Sequence, residues 1–210
     1  MQVELSFGRQ GLLVELPEKA IPQIIRKPKN QVPKDPHTLV LQALSKPIRS
    51  KKLSEEAKGN KTACILACDI TRPVPNKLFL KPVIAELEAG GIPRDNITIL
   101  IATGLHRPNL GEELEEVIGD PWVTQNIQIL NHDARDETSI VHLGKTSTHQ
   151  VPLGLNRHFV EADLRLVTGL VEPHFMAGYS GGRKVIAPGI AHHETIRTFH
   201  ICAHGVNGKS

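Results

Sequence analysis

Hydrophobic and polar positions alternate at the start of the chain. Val3, Leu5 and Phe7 face one way, Gly8 to Gly11 turns the backbone, and Leu12 to Leu16 runs back out. Period-two alternation around a glycine turn predicts a two-stranded ribbon. Residues 17–60 are rich in proline and lysine and only weakly periodic. They are expected to wrap the molecule, with short helices at Pro36 to Leu44 and Leu53 to Ala57. From residue 62 the pattern changes to short apolar runs separated by helical segments. TACILACD, NITILIATG, IQILNHD and LRLVTGL read as buried strands. Asn76 to Glu88 carries Phe79, Val83, Ile84 and Leu87 on one face and meets Gly90-Gly91, a helix with its stop. Leu110 to Ile118 reads as a helix ended by Gly119-Asp120-Pro121, Val141 to Val151 as a hairpin, Arg157 to Ala162 as a short helix, and Ala191 to Cys202 as the last helix. Strands alternating with helices predict an α/β, Rossmann-like layered domain with a mainly parallel sheet, preceded by the N-terminal ribbon. The expected division is 1–60 for ribbon and wrapping segment and 61–210 for the α/β domain.

Composition narrows the function classes. With 210 residues, 40% of them hydrophobic, the chain suffices for one sizeable core. A net charge of +3 is small, and aromatic residues make up only 3%, so a nucleic-acid surface with stacking platforms is not expected. No apolar run reaches membrane-spanning length, and MQVELSFGRQ has no signal-peptide pattern. Cys64, Cys68 and Cys202 are an odd set without CxxC spacing, which reads as reduced thiols in a cytoplasmic protein. The chain stops at Ser210 directly after a predicted helix, so a longer protein with a second domain is expected.

Ligands of open parallel sheets bind beyond the carboxyl ends of the strands. Here each predicted strand delivers polar residues at that end. The first delivers Asp69, Thr71, Arg72 and Pro73, the second Thr103, Gly104, His106 and Arg107, the third Asn131, His132 and Asp133, and the fourth Thr168, Gly169, Glu172 and His174. Such repetition marks one edge as a candidate active site. The planar fork of Arg72 suits a carboxylate or phosphate. His106 and His174 suit a pair of acid/base groups flanking one substrate. Ser180, Gly181 and Gly182, followed by Arg183 and Lys184, form a glycine-rich loop whose amides suit an anion. Lys184 stands beside apolar residues that would lower its pKa and favour covalent use.

Eleven histidines are unusual, and His192, His193, His200 and His204 cluster at the last helix, where a metal ligand is plausible. HExxH is absent because Arg197 occupies the second histidine position. The closing HGVNGKS is not a P-loop, since Ala203 stands where its first glycine belongs. No GxGxxG is present, which weighs against an ordinary nicotinamide dehydrogenase. On the residues alone, a racemase, a conventional oxidoreductase or hydrolase using the same histidines, and a non-catalytic domain for a phosphorylated ligand all stay open.

Taken together, ACDITRP, ATGLHRP, GLVEPHFMAGYSGGRK and VIAPG resemble the lactate racemase family, the nickel-dependent racemases and epimerases of 2-hydroxy acids. The resemblance covers nearly the whole chain and is specific in combination, although each piece is weak alone. It implies a nickel-pincer nucleotide, with Lys184 joined covalently to it and His200 completing the nickel coordination. Thr71, Thr103, Gly104, Ser180, Gly181, Gly182 and Arg183 would stand around that nucleotide. It further implies that His106 and His174 are the acid/base pair, that Arg72 lies near the substrate with Asp69 as its polar neighbour, and that cofactor-maturation proteins are partners. The substrate implied is a small 2-hydroxy acid. Family enzymes are about twice this length, so an isolated chain of this size is expected to be inactive, its cleft open to water.

Overall fold

The computed structural model describes all residues except 6, 9, 20–22, 24–34, 175–176 and 206–210, and only the backbone of 201–205. The basic stretch Arg26 to Lys34, the end of the closing HGVNGKS and the side chain of His204 therefore lie outside the described residues. The chain divides into two compact units, Met1–Lys34 and Asp35–Ser210.

The first unit contains β1 (Gln2–Leu5) and β2 (Leu12–Glu15), an antiparallel ribbon in which Val3 pairs with Val14. It is the ribbon predicted from alternation, and Gly8 and Gly11 adopt the positive φ that its turn requires.

The second unit begins with α1 (Pro36–Ser45) and α2 (Leu53–Glu56). Asp35 caps α1 by accepting from the His37 amide at 3.0 Å, and Pro36 occupies the first helical position, where its missing N–H costs nothing. There follow β3 (Ala63–Cys68), α3 (Asn76–Ala89), β4 (Ile97–Ala102), α4 (Glu112–Ile118), α5 (Pro121–Asn126) and β5 (Gln128–Asn131). Next come β6 (Ile140–Lys145), β7 (Pro152–Asn156), α6 (Arg157–Val160), β8 (Leu164–Val167), β9 (Pro173–His174), β10 (Gly178–Tyr179), α7 (Arg183–Ile186) and α8 (His193–Gly205). The central sheet has the order β5-β4-β3-β8, and all its pairings are parallel. The fold is thus the expected α/β, Rossmann-like layered arrangement.

Alternation along β3 and β4 explains the layers. Ala63, Ile65, Ala67, Ile97, Ile99 and Ile101 pack on one face with Leu80, Ile84 and Leu87 of α3. Cys64, Leu66, Cys68 and Leu100 pack on the other with Phe159, Val185 and Ile190. Both faces are covered, so these strands read as continuous apolar runs. β8 differs from the expected buried strand. It lies at the sheet edge, with Arg165 and Val167 exposed.

Three other expectations change. Gly119-Asp120-Pro121 ends α4, with Gly119 left-handed at φ 68°, but the same residues also start α5. Asp120 accepts from the Trp122 amide at 2.8 Å and Pro121 is the first helical residue, both start signals. The glycine-rich segment is not loop throughout, since Arg183–Ile186 forms one helical turn, α7. The predicted hairpin is β6–β7, displaced a few residues along the chain and separate from the central sheet.

Candidate active site

The carboxyl ends of β3 and β4, the segment after β8, α7 and α8 surround one cleft of about 370 Å³. Asp69, Thr71, Arg72, Thr103, Gly104, His106, His174, Ser180, Gly181, Lys184 and His200 all line it. Residues from distant parts of the chain meet there because parallel strands deliver every following loop to the same edge. Gly182 and Arg183 do not line the cleft and are exposed. Arg107 is also turned away, its guanidinium paired with both oxygens of Glu113 at 2.5 and 2.7 Å.

Asp69 is buried at the tip of β3, with only 5% of its surface exposed. Its Oδ1 accepts from the Thr71 hydroxyl at 2.6 Å and the Thr71 amide at 3.2 Å. Its Oδ2 faces His106 Nδ1 at 2.5 Å. A carboxylate only accepts, so Nδ1 of His106 carries the proton and Nε2 presents a lone pair. His174 has the opposite arrangement. Its Nδ1 accepts from the Ala177 amide at 3.2 Å, so the neutral ring carries its proton on Nε2. One imidazole thus presents a lone pair at Nε2 and the other an N–H donor.

The cleft gathers positive charge. Burial holds the Lys184 amine below its ordinary pKa, and the Arg72 guanidinium adds to the effect. Partial desolvation likewise lowers the pKa of His174, with Lys184 and Arg72 contributing. Among the described residues lining the cleft, Asp69 is the one carboxylate. Such a site attracts an anion.

Lys184 is fixed by α7, its amide donating to the Gly181 carbonyl at 3.0 Å. Gly181 takes φ 68°, and a β-carbon there would approach the Leu170 carbonyl oxygen to 3.0 Å. The Ser180 hydroxyl donates to the Leu170 carbonyl at 2.6 Å and accepts from the Glu172 amide at 3.0 Å. It therefore braces the segment after β8, and its one donor is spent inside the protein. The Thr103 hydroxyl is engaged in the same way, donating to the His132 carbonyl at 2.5 Å. Gly104, at φ 57°, donates its amide to the Gly189 carbonyl at 2.8 Å and joins the β4 loop to the segment after α7.

Among the described residues no group of three or more His, Cys, Asp or Glu side chains is placed to hold a metal ion. A metal whose other donors come from an organic cofactor needs only one imidazole. His200 fits that role, because it lines the cleft and its Nδ1 donates to the Ile196 carbonyl at 2.7 Å, which leaves the lone pair on Nε2 for a metal. Metal-binding histidines ordinarily have this second hydrogen bond. His192 and His193 face elsewhere, His192 lying 2.8 Å from Glu137 and His193 3.3 Å from the Ala134 carbonyl.

Sequence reasoning passed over one group and set another at the candidate edge that does not line the cleft. Buried Asn109 links three strand-end loops, but a lone asparagine in a loop has no periodic signal. His132 stands at the end of β5 but is fully enclosed and outside the cleft. Its Nε2 donates to the Ala191 carbonyl at 3.0 Å, and its Nδ1 accepts from Asn156 Nδ2 at 3.1 Å. The Asn156 carbonyl oxygen caps the His158 amide, so that amide orientation and the His132 tautomer are both fixed.

The model of the lactate racemase N-terminal domain matches residues 7–209. The lactate racemase of Thermoanaerobacterium thermosaccharolyticum is 36% identical over 94% of this chain and 46% of its own length. That of Lactiplantibacillus plantarum is 39% identical over 77% of this chain and 37% of its own length. The solved lactate racemase apoprotein from Thermoanaerobacterium thermosaccharolyticum superposes with a TM-score of 0.76 at 35% identity, covering 93% of this chain and 45% of that one. A protein of known structure from Thermotoga maritima follows at a TM-score of 0.65 and 25% identity, over 81% of this chain and 42% of that one. The chain spans less than half the length of the curated relatives it matches, and over that span it belongs to the lactate racemase family.

Proposed function

We propose that this chain is the cofactor-bearing half of a racemase or epimerase of a small 2-hydroxy acid that works with a nickel-pincer nucleotide. The observation that carries the reading is the complementary pair of imidazoles in one cationic cleft, His106 with a lone pair on Nε2 and His174 with a proton there. A racemase handles its substrate from either face, and two imidazoles in one cleft can offer each enantiomer a base, with the imidazolium so formed as the acid that returns the proton.

Arg72 would hold the substrate carboxylate through its planar fork and so orient C2. His106 Nε2 would take the hydroxyl proton of one enantiomer and return it, and His174 would do so for the other in its Nδ1-protonated tautomer, which gives up the Ala177 contact. Asp69 would stabilise the His106 imidazolium formed on proton transfer, since its Oδ2 already faces Nδ1. Lys184 would be the covalent attachment point and His200 the nickel ligand, which fits an amine held below its ordinary pKa and an imidazole with a free Nε2. When bound, the nucleotide supplies reversible acceptance of the hydrogen that leaves C2 as hydride. Thr71, Thr103, Gly104 and Gly181 would form the wall against which it rests. Cofactor-maturation proteins would be its partners in the cell, and the cytoplasm its location.

The full-length protein, made together with its maturation machinery, is expected to carry one nickel per chain and added mass on Lys184, and to interconvert the enantiomers of a 2-hydroxy acid. Metal analysis, intact-mass spectrometry and chiral chromatography check this. An unmodified Lys184 without nickel in such a preparation would overturn it. In the same protein Asp69→Asn is expected to lower kcat by roughly 100-fold to 10,000-fold, by analogy with other carboxylate–histidine pairs.

A further inference from the structure

We propose that Asn109 is a positioning residue that fixes the Asp69–His106 pair and thereby the tautomer of His106. This rests on His106 being the base described above. Asn109 is 1% exposed and uses every polar atom it has. Its amide donates to Asn131 Oδ1 at 2.9 Å, and its carbonyl accepts from Asn131 Nδ2 at 3.0 Å, a reciprocal pair that anchors it to the end of β5. Its side-chain oxygen accepts from the Ile70 amide at 3.2 Å, the residue directly after Asp69. Its side-chain nitrogen donates to Glu113 Oε2 at 2.9 Å. Glu113 is held in turn by Arg107, the residue after His106. One buried amide thus ties the loops that carry Asp69 and His106 to each other and to β5.

The amide has one workable orientation. Turned over, its nitrogen would meet the Ile70 N–H and its oxygen the Glu113 carboxylate, two contacts of like sign. Both contacts that Asn109 makes across the loops are therefore directional, and a residue that only filled the space would not make them. A hydrogen bond of 2.5 Å between Asp69 and His106 is lost on a shift of about 1 Å. Freed from Asp69, a neutral imidazole in water distributes its proton between both nitrogens, and Nε2 is then no longer reserved as the base.

The test is nitrogen NMR of the histidine rings in the protein without cofactor, at alkaline pH where the rings are neutral. In the unaltered protein the His106 signals are expected to show the proton on Nδ1. Asn109→Ala should move the population toward Nε2, while the circular dichroism stays that of a folded chain. Should the alanine variant not fold, Asn109→Asp carries the same test with an isosteric side chain. It sets two carboxylates together, and Glu113→Gln in the same chain supplies a donor again and should restore the Nδ1 tautomer. A folded Asn109→Ala or Asn109→Asp with the original tautomer overturns the proposal, and so does a double variant no closer to the original than Asn109→Asp alone. In the loaded full-length enzyme the matching expectation is kcat down roughly tenfold or more, with KM little changed. The NMR readout needs no turnover. An unaltered protein that proves not to racemise anything would remove the proposed reaction and leave the tautomer result standing.

Discussion

At the scale of single residues, the cleft combines groups whose ionisation depends on one another. Burial comes first among the causes of the lowered Lys184 pKa, and Arg72 comes second. Arg72→Ala removes the second cause and leaves the first, so the pH at which the Lys184 amine becomes reactive should rise without reaching that of an exposed lysine. Acylation of the cofactor-free protein across pH, read by peptide mass spectrometry at Lys184, checks the direction; an unchanged or lowered midpoint would count against the coupling. His132 provides a second case. Its burial lowers its pKa from the ordinary 6.5, so the native ring resists a proton that the unfolded chain accepts. The sign follows by linkage. At neutral pH neither state is protonated, and this group costs nothing. As pH falls below 6.5 the unfolded state gains the proton first, and stability drops until the depressed native pKa is passed. Asp133 and His192 are the charged and titratable neighbours that modify the shift. His132→Gln should lower stability at neutral pH through the lost Asn156 contact, yet flatten the fall in Tm between neutral and mildly acidic pH. A Tm curve as steep as that of the unaltered protein would contradict the assignment.

Elements are where sequence and structure agree most closely and also where they part. β3 and β4 are legible because six-residue apolar runs end in polar residues, and a doubly covered parallel strand requires that pattern. The site was legible through the same fact, since Asp69, His106 and Lys184 follow elements whose direction the pattern sets. That His106 and His174 meet across one cleft was not, because local patterns carry no information about which strands are neighbours. α5 was hidden by Asp120-Pro121, a pair that both halts one helix and starts another. α7 was hidden because four residues are too few for a helical period to show. Its place depends instead on close approach. A β-carbon on Gly189 would lie 2.0 Å from the Val185 carbonyl oxygen and 2.9 Å from the Ala102 β-carbon. Gly189→Ala should therefore push α7 from the end of β4 and destabilise the protein by about 1–3 kcal/mol. Denaturant unfolding measures the loss. A change within error would mean that α7 moves freely and does not fix Lys184.

For the whole molecule the question is which part of the chain makes the cleft. β1 and β2 pair with each other, and the parallel sheet is complete without them. Among the described residues the buried apolar core begins at Ala57. α1 and α2 belong to the second unit, where Leu44 and Leu53 pack against the cluster on the α3 face of the sheet. Gly90 follows α3 closely enough that a β-carbon would lie 2.4 Å from that of Ala57, so the segment around α2 is fitted to the end of α3. Among the described residues, those lining the cleft run from Cys68 to His200. Among the described residues the buried apolar core and the cleft lining thus both fall after residue 34. A chain without residues 1–34 is expected to keep one cooperative thermal transition, with Tm changed by only a few degrees. It should also keep the Nδ1 tautomer of His106, since Asp69, Asn109 and the residues that hold Asn109 all remain. Residues 1–34 as a free peptide should be unstructured, because an isolated two-stranded ribbon is at best marginally stable in water. Circular dichroism melts of the two pieces decide the matter. If the shortened chain melts without cooperativity, the ribbon is part of the scaffold that holds the cleft together, and the cleft can no longer be assigned to the α/β unit alone.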